Sequence, residues 1–421
     1  MHYIRLLRPA KFVASPSPSL SLLLTITTDL GDSFLRPPRP VELVVSVDGQ
    51  PRGREEPGGP SADAGEEATP LPPPPPPFLK PLRPPRWSAG MRVLEVHLPL
   101  APRARPEDVT CRLCIRAVDP PAPLGPDAVL AGRGGSLIVP VGVDVTRGAC
   151  AAVSMRTLRL RGGGGDALDL GFGEDVGESI ARHVWDAGVV AACLVAEGVR
   201  EAEGAAGPGR EAAVGDVLRP FLARPSLHVL ELGAGVGILG ISLAAALATS
   251  VRSSPAAATV LLTDLPEAEE RARANMAAAE TALARWRRQA RDAPGRREVA
   301  LRYENLDWDA ARHGALGPAA AAARPWDLVV LSDCTYNADS LPALVGALGA
   351  LHARADGGAR APSVLLATKP RHASERALFG LLEDAAWRYR VVRSVPLPKP
   401  DGEGQDERVD VYLLEKGVAS P

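Results

Sequence analysis

The sequence predicts a two-part α/β protein: a β-rich N-terminal module, then a Rossmann-like sheet of seven strands closed by a C-terminal antiparallel hairpin. Three observations carry that prediction. The stretch Val229-Leu-Glu-Leu-Gly-Ala-Gly-Val-Gly-Ile-Leu-Gly240 reads as a buried strand running into a glycine turn and then an apolar, alanine-rich helix. After it, short apolar runs at 259–264, 301–306, 326–333 and 363–368 alternate with helical patterns, as parallel strands joined by crossovers do. The last two runs, 389–395 and 409–414, have only a polar, proline-rich loop between them and are therefore expected to pair antiparallel.

The 421 residues suffice for two or three domains with a sizeable core. A formal net charge of −2 gives no general attraction to nucleic acid or to an anionic membrane, and no apolar run approaches the length of a spanning helix. Five scattered cysteines, Cys111, Cys114, Cys150, Cys193 and Cys334, do not make a disulfide framework and point to a reducing compartment. Cys111-x-x-Cys114 has zinc-like spacing, but no second pair follows and His97 is the only nearby imidazole. The other reading is a strand carrying two small apolar residues, and no metal site is assigned.

Taken in order, residues 1–15 carry Arg5, Arg8 and Lys11 without an acid, a pattern shared with mitochondrial transit peptides. Pro9 and the strand-like run that starts at Leu20 argue against one. Residues 20–28 and 41–47 are rich in β-branched and apolar side chains and read as strands, the second followed by an Asp48-Gly49 turn. From 51 to 90 the composition turns to Pro, Gly, Glu and Ser, with an unbroken proline run from Pro72 to Pro77, so this stretch is expected to be a disordered insertion. Strand patterns resume at 91–100, 109–117, 136–143 and 157–160. Residues 1–50 and 91–166 are thus expected to form one β-rich module divided by the insertion, and 167–416 to form the α/β domain.

That domain opens with helical spacing across 178–199, where Val184, Trp185, Val189, Val190 and Leu194 recur at steps of three and four. Trp185 is either a core residue of this helix or a lid over the glycine turn; spacing leaves both open. In the turn, Gly233, Gly235 and Gly237 permit positive φ and close approach of a ligand, and the next helix offers unpaired N–H groups at its N-terminus.

Gly235-x-Gly237-x-x-Gly240 also matches the dinucleotide fingerprint. Glu231 pulls away from it, because a carboxylate just ahead of the first glycine repels a pyrophosphate and accepts the ammonium of a methionyl group. The second strand ends in Asp264, where a carboxylate can hold both ribose hydroxyls. Together these residues point to S-adenosyl-L-methionine. Asp307-Trp308 sets an aromatic at the carboxyl end of the third strand, where it can stack on or edge an adenine, and the fourth strand again runs into an acid, Asp333. The basic stretch from Arg285 to Arg297 is either a contact for RNA or an acidic protein face, or a solvated helix face. Direct nucleic-acid binding is not expected.

Through Trp185-Asp-Ala187, Glu231-Leu-Gly-Ala-Gly-Val-Gly237, Asp264, Asp307-Trp308 and Ser332-Asp-Cys-Thr-Tyr336, the region 167–416 resembles the family 16 seven-β-strand methyltransferases. These are mostly eukaryotic protein-lysine methyltransferases and include fungal enzymes that modify translation elongation factors. The Asp-x-x-Tyr at 333–336 is that family's own mark. The resemblance implies a class I methyltransferase sheet in which Gly233, Ala234 and Gly235 line the methionine portion, Asp264 holds the ribose and Trp308, with Asp307, flanks the adenine. Trp185 and Ser332 complete the pocket, Asp333 orients the incoming amine and Tyr336 walls its channel. It further implies a monomeric, cytoplasmic protein-lysine N-methyltransferase acting on a folded protein such as a translation elongation factor. Ser332 stands where Ala is common, and the N-terminal module is matched in only some fungal members. Lys369-Pro-Arg-His372, after the fifth strand, either meets the protein substrate or is an ordinary exposed loop. A small-molecule N-methyltransferase and a non-catalytic, cofactor-binding scaffold are the competing readings.

Overall fold

The strand ahead of the glycine turn is an interior strand of a seven-stranded sheet. Its members in chain order are β1 (Ser226–Leu232), β2 (Ala257–Asp264), β3 (Glu298–Asn305), β4 (Leu328–Ser332), β5 (Ser363–Thr368), β6 (Trp387–Pro396) and β7 (Arg408–Lys416). They lie in the order 3-2-1-4-5-7-6, and β7 runs antiparallel to both its neighbours while the other pairings are parallel. This is the class I methyltransferase sheet expected from the sequence, hairpin included. The strand order reverses beside β1, which opens a crevice at the carboxyl ends of β1 and β4. The computed structural model describes residues 1–14, 17–48, 83–101, 105–118, 124–130, 137–162, 166–177, 180–202, 213–250, 257–289, 298–320, 326–355, 361–398 and 407–416.

Apolar runs become central strands here because both faces are covered. Val229 packs into the layer of helices Asp186–Ala202, Ile238–Ala248 and Pro266–Gln289, whereas Leu230 and Leu232 pack beneath Leu341–Ala353 and Ala377–Asp384. Among the described residues no helix is long and apolar enough to cross a membrane.

The N-terminal module is β-rich, as expected, and holds two sheets. One pairs His2–Leu6, Lys11–Val13, Ser19–Thr27, Leu94–Pro99 and Ile138–Val139; the other runs in the order Ala167–Asp175, Ala149–Arg161, Val141–Thr146, Cys111–Ala117, Val41–Asp48, Arg86–Trp87. The opening residues, whose basic pattern resembled a transit peptide, form the first of these strands, with Tyr3 and Ile4 fully buried. Cys111 and Cys114 share a strand, and their odd spacing turns them to opposite faces of the pleat.

Some boundaries differ from the expected ones. The insertion drawn from 51 to 90 runs too far, because Arg86–Trp87 is a strand paired with Val41 and Glu42. Trp87 is buried, and its indole N–H donates to the Leu35 carbonyl at 2.9 Å, so a large aromatic fills the module's core at the end of a proline-rich stretch. Residues 51–82 lie outside the described residues, as do 290–297 of the basic stretch and 399–406 of the loop between β6 and β7. Within that basic stretch Trp286 is buried while Arg285, Arg287 and Arg288 are exposed. The division drawn at 167 falls inside a hairpin, since Ala167–Asp175 pairs along its whole length with Ala149–Arg161. The helix expected from 178 starts at Asp186, which leaves Trp185 one residue ahead of it.

Leu158, Leu160, Leu170 and Phe172 of that hairpin share one apolar core with Val189 and Ala272 of the helices beside β1. Asn275, on Pro266–Gln289, makes the polar joint. Its amide accepts from Gly173 N–H at 2.7 Å and donates to the carbonyls of Gly173 (3.1 Å) and Val236 (2.9 Å), so it ties the module's last strand to the glycine turn.

Candidate active site

At the end of β1 the backbone enters left-handed conformations at Gly233 (φ 67°) and Gly235 (φ 55°). A β-carbon on Gly233 would stand 3.0 Å from Cys334 Cβ and 3.2 Å from Trp308 Cζ2, so glycine is required there by both conformation and space. The turn forms one wall of a cavity of about 290 Å³ at the carboxyl edge of the sheet. Gly233, Ala234 and Gly235 line it together with Asp264 from the end of β2 and Asp307 and Trp308 beyond β3. Trp185, Ser332, Asp333 and Tyr336 line it as well.

Asp264 binds backbone first. Its carboxylate accepts Gly235 N–H at 2.6 Å and Leu265 N–H at 2.7 Å, and burial nonetheless pushes its pKa upward against these two donors. Asp307 caps the short Trp308–Ala311 helix by accepting Asp309 N–H at 2.9 Å, which fixes the backbone where that helix starts, at Trp308. Trp185 is held by its indole N–H on the Ile180 carbonyl at 3.0 Å, and Arg371 lies 5.8 Å over the ring. It therefore lines the cavity from a position one residue ahead of the helix and not within it.

Glu231 is the one expected binding residue that the cavity does not include. The pleat of β1 turns it away from the opening, into the layer beneath helix Ile238–Ala248, where it is fully buried and accepts Gly240 N–H at 3.0 Å. Burial pushes its carboxyl pKa up to about 8. Its second oxygen has no hydrogen-bond partner among the described residues. Glu231 thus braces the start of the helix from behind. It also explains the third glycine of the motif, since a β-carbon on Gly240 would come within 2.3 Å of its carboxylate.

Asp333 has positive φ (54°) although it is not glycine, and its side chain is 4% exposed. Arg371 grips it with both terminal nitrogens, one at 2.8 Å, and Ala187 N–H reaches it at 3.3 Å. The Lys369-Pro-Arg-His372 segment is therefore not a free rim. Lys369 is 4% exposed and donates to Asp186 at 2.9 Å, Asp29 at 3.1 Å and Glu407 at 2.9 Å. Arg371 also reaches Asp29 at 2.6 Å, and Tyr3 donates its hydroxyl to Asp186 at 2.8 Å. For Asp29, burial alone would raise the pKa, but Arg371 and Lys369 outweigh it and hold the carboxyl down to about 2. For Asp333, burial outweighs Arg371 and the pKa rises. Tyr336 stands at the mouth, 49% exposed.

Residues 165–385, just over half of the chain, match a family model described as lysine methyltransferase. The chain is 28% identical over 207 residues to a UPF0665 family protein of Schizosaccharomyces pombe, an alignment that covers 49% of this chain and 48% of that protein. The chain thus spans about half the length of the curated relative it matches. Among solved structures, an O-methyltransferase family protein from Burkholderia thailandensis aligns with 13% identity over 56% of this chain and 60% of its own, at a TM-score of 0.29. The O-methyltransferase TomG from Streptomyces achromogenes, in complex with SAM, aligns with 15% identity over 53% and 90%, at a TM-score of 0.28.

Proposed function

Since the chain belongs to the lysine methyltransferase family, we propose that it methylates the ε-amine of a lysine in a folded protein, with a translation elongation factor as the target class. The observation that carries this reading is that Asp333 and Tyr336 share a single cavity with the glycine turn, Asp264 and Trp308. The cofactor is S-adenosylmethionine, and the donor set suits it: a carboxylate for two hydroxyls, an aromatic face for adenine, and bare glycine backbone where a β-carbon would obstruct. Bound there, it supplies a methyl group already activated on a sulfonium.

What the chain must add is placement of a neutral amine about 3 Å from that methyl. Holding a lysine neutral at pH 7 costs about 4.6 kcal/mol when its pKa is the ordinary 10.4. Desolvation between Tyr336 and Trp185 lowers that cost, as burial does for any ammonium. A carboxylate offers about four acceptor positions. Three donors already reach Asp333, two from Arg371 and one from Ala187, which leaves room for the substrate amine to be the fourth. In this reading Asp333 orients the amine, Tyr336 walls the channel, and the N-terminal module (1–50 and 91–166) recognises the partner. The protein acts as a monomer in the cytoplasm.

The experiment is to incubate the full chain with methyl-labelled S-adenosylmethionine and a cytosolic extract. Label on lysine in a discrete protein band supports the proposal. Label in the acid-soluble fraction overturns it in favour of a small-molecule N-methyltransferase, and no label at all in favour of a cofactor-binding scaffold.

A further inference from the structure

We infer that Asp29, a residue of the N-terminal module, is a positioning residue of the transfer site: it fixes Arg371, and Arg371 fixes Asp333. The inference rests on the lysine methyl transfer proposed above.

Asp333 needs outside support. A non-glycine residue held at positive φ costs on the order of 1–3 kcal/mol and persists only where its surroundings over-determine it. Its own backbone N–H is tied to the Ala367 carbonyl at 3.0 Å, and two groups hold its side chain: the guanidinium fork of Arg371 and the N–H of Ala187. Asp29 acts on both. One of its oxygens accepts Arg371 Nη2 at 2.6 Å, the same nitrogen that reaches Asp333 at 2.8 Å, so the guanidinium is clamped between two carboxylates. That same oxygen accepts Asp186 N–H at 3.2 Å, which anchors the first residue of the helix whose next residue, Ala187, supports Asp333. Its other oxygen binds Lys369 at 3.1 Å, two residues before Arg371.

Arginine is a long, rotamer-rich side chain, and its fork delivers a carboxylate to one place only if the fork itself cannot tilt. Asp29 is 3% exposed and does not line the cavity, so it touches neither substrate nor cofactor. Its influence reaches the amine through Arg371. The consequence is that the module supplies part of the geometry of the transfer step as well as any surface that reads the partner.

The test is Asp29→Asn in the full chain, which keeps the shape and loses the charge. Four quantities are measured: the thermal melt, cofactor affinity by calorimetry, hydrogen exchange across 332–337, and kcat and KM on the lysine substrate. The expected result is a cooperative melt, cofactor affinity within about twofold, KM within about threefold, kcat lower by about ten- to a hundredfold, and faster exchange at 332–337. Asp29→Glu should restore part of the rate. Wild-type kcat with wild-type exchange overturns the inference, and so does a loss of cofactor affinity equal to the loss of rate, which is general loosening. Should Asp29→Asn not fold, Arg371→Lys takes its place, since lysine keeps the charge but lacks the planar fork that grips Asp333 through two nitrogens while one of them also reaches Asp29. A low kcat with intact cofactor affinity in that variant supports the inference, and an unchanged kcat overturns it. If the wild-type chain modifies no protein lysine, the proposed function falls, and exchange at 332–337 in Asp29→Asn alone decides: faster supports the positioning role, unchanged removes it.

Discussion

Arg371 holds Asp333 through both ends of its guanidinium, so the acid expected to receive the substrate amine is already half of a buried ion pair. Asp333→Asn therefore has two effects. The methylation rate should fall with little change in cofactor affinity, because the adenosine side of the cavity is built from other residues. Stability should also fall, by about 3 kcal/mol, since a buried arginine loses one of its two counter-charges. Single-turnover kinetics and urea melts of the same preparation read the two effects apart; a variant as stable as wild type would mean that the pair is loose in solution.

Asp264→Ala should weaken S-adenosylmethionine binding by about 1.5–3 kcal/mol, the usual worth of hydrogen bonds to a charged group. The same carboxylate holds Gly235 N–H, so the glycine turn also loses a tether. Calorimetric titration showing undiminished affinity would remove Asp264 from the ribose site.

Glu231 makes stability depend on pH in a predictable direction. Its folded pKa is raised from 4.5 to about 8, so between those values the folded chain keeps a proton that the unfolded chain releases. Stability then falls as pH rises through that window, by about 1.4 kcal/mol per unit, and levels off above it. Glu231→Gln, which resembles the protonated acid, should flatten this slope. Denaturant melts at several pH values, with the two curves running parallel, would show that Glu231 ionises normally.

Trp87→Ala should destabilise the protein by about 3–5 kcal/mol, the usual cost of emptying a fully buried aromatic site, and should also strand the Leu35 carbonyl. A midpoint in guanidinium chloride that does not move would return this residue to the insertion in which its proline-rich neighbourhood seemed to put it.

The seven strands of the C-terminal sheet were legible because each is a short apolar run bounded by turn residues, and the closing hairpin because no helix fits between its two runs. The cavity was legible for a related reason: in such a sheet the residues at or just beyond the strand ends, Asp264, Trp308 and Asp333 among them, gather at one edge. Two kinds of information were less accessible. Glu231 was marked as important from its position in the motif, but its direction follows from the pleat, since the neighbours Leu230 and Leu232 take the opposite layer. Leu168, Leu170 and Phe172 alternate as a strand should, yet glycines beside them and a neighbouring helical pattern masked it. The bond from Asp29 to Arg371 spans 342 positions, and no local periodicity encodes a contact of that range.

The Asn275 amide limits where the chain can be divided. It reads the backbone on both sides of the junction, and the strand it holds, Ala167–Asp175, is paired with Ala149–Arg161. A recombination breakpoint anywhere between 149 and 175 would leave one half with a strand lacking its partner, an open edge prone to pair with other chains. It would leave the other half with a glycine turn missing part of its support. Module and C-terminal sheet are therefore physically coupled through this junction, and a cut there costs both halves more than a cut in a connecting loop.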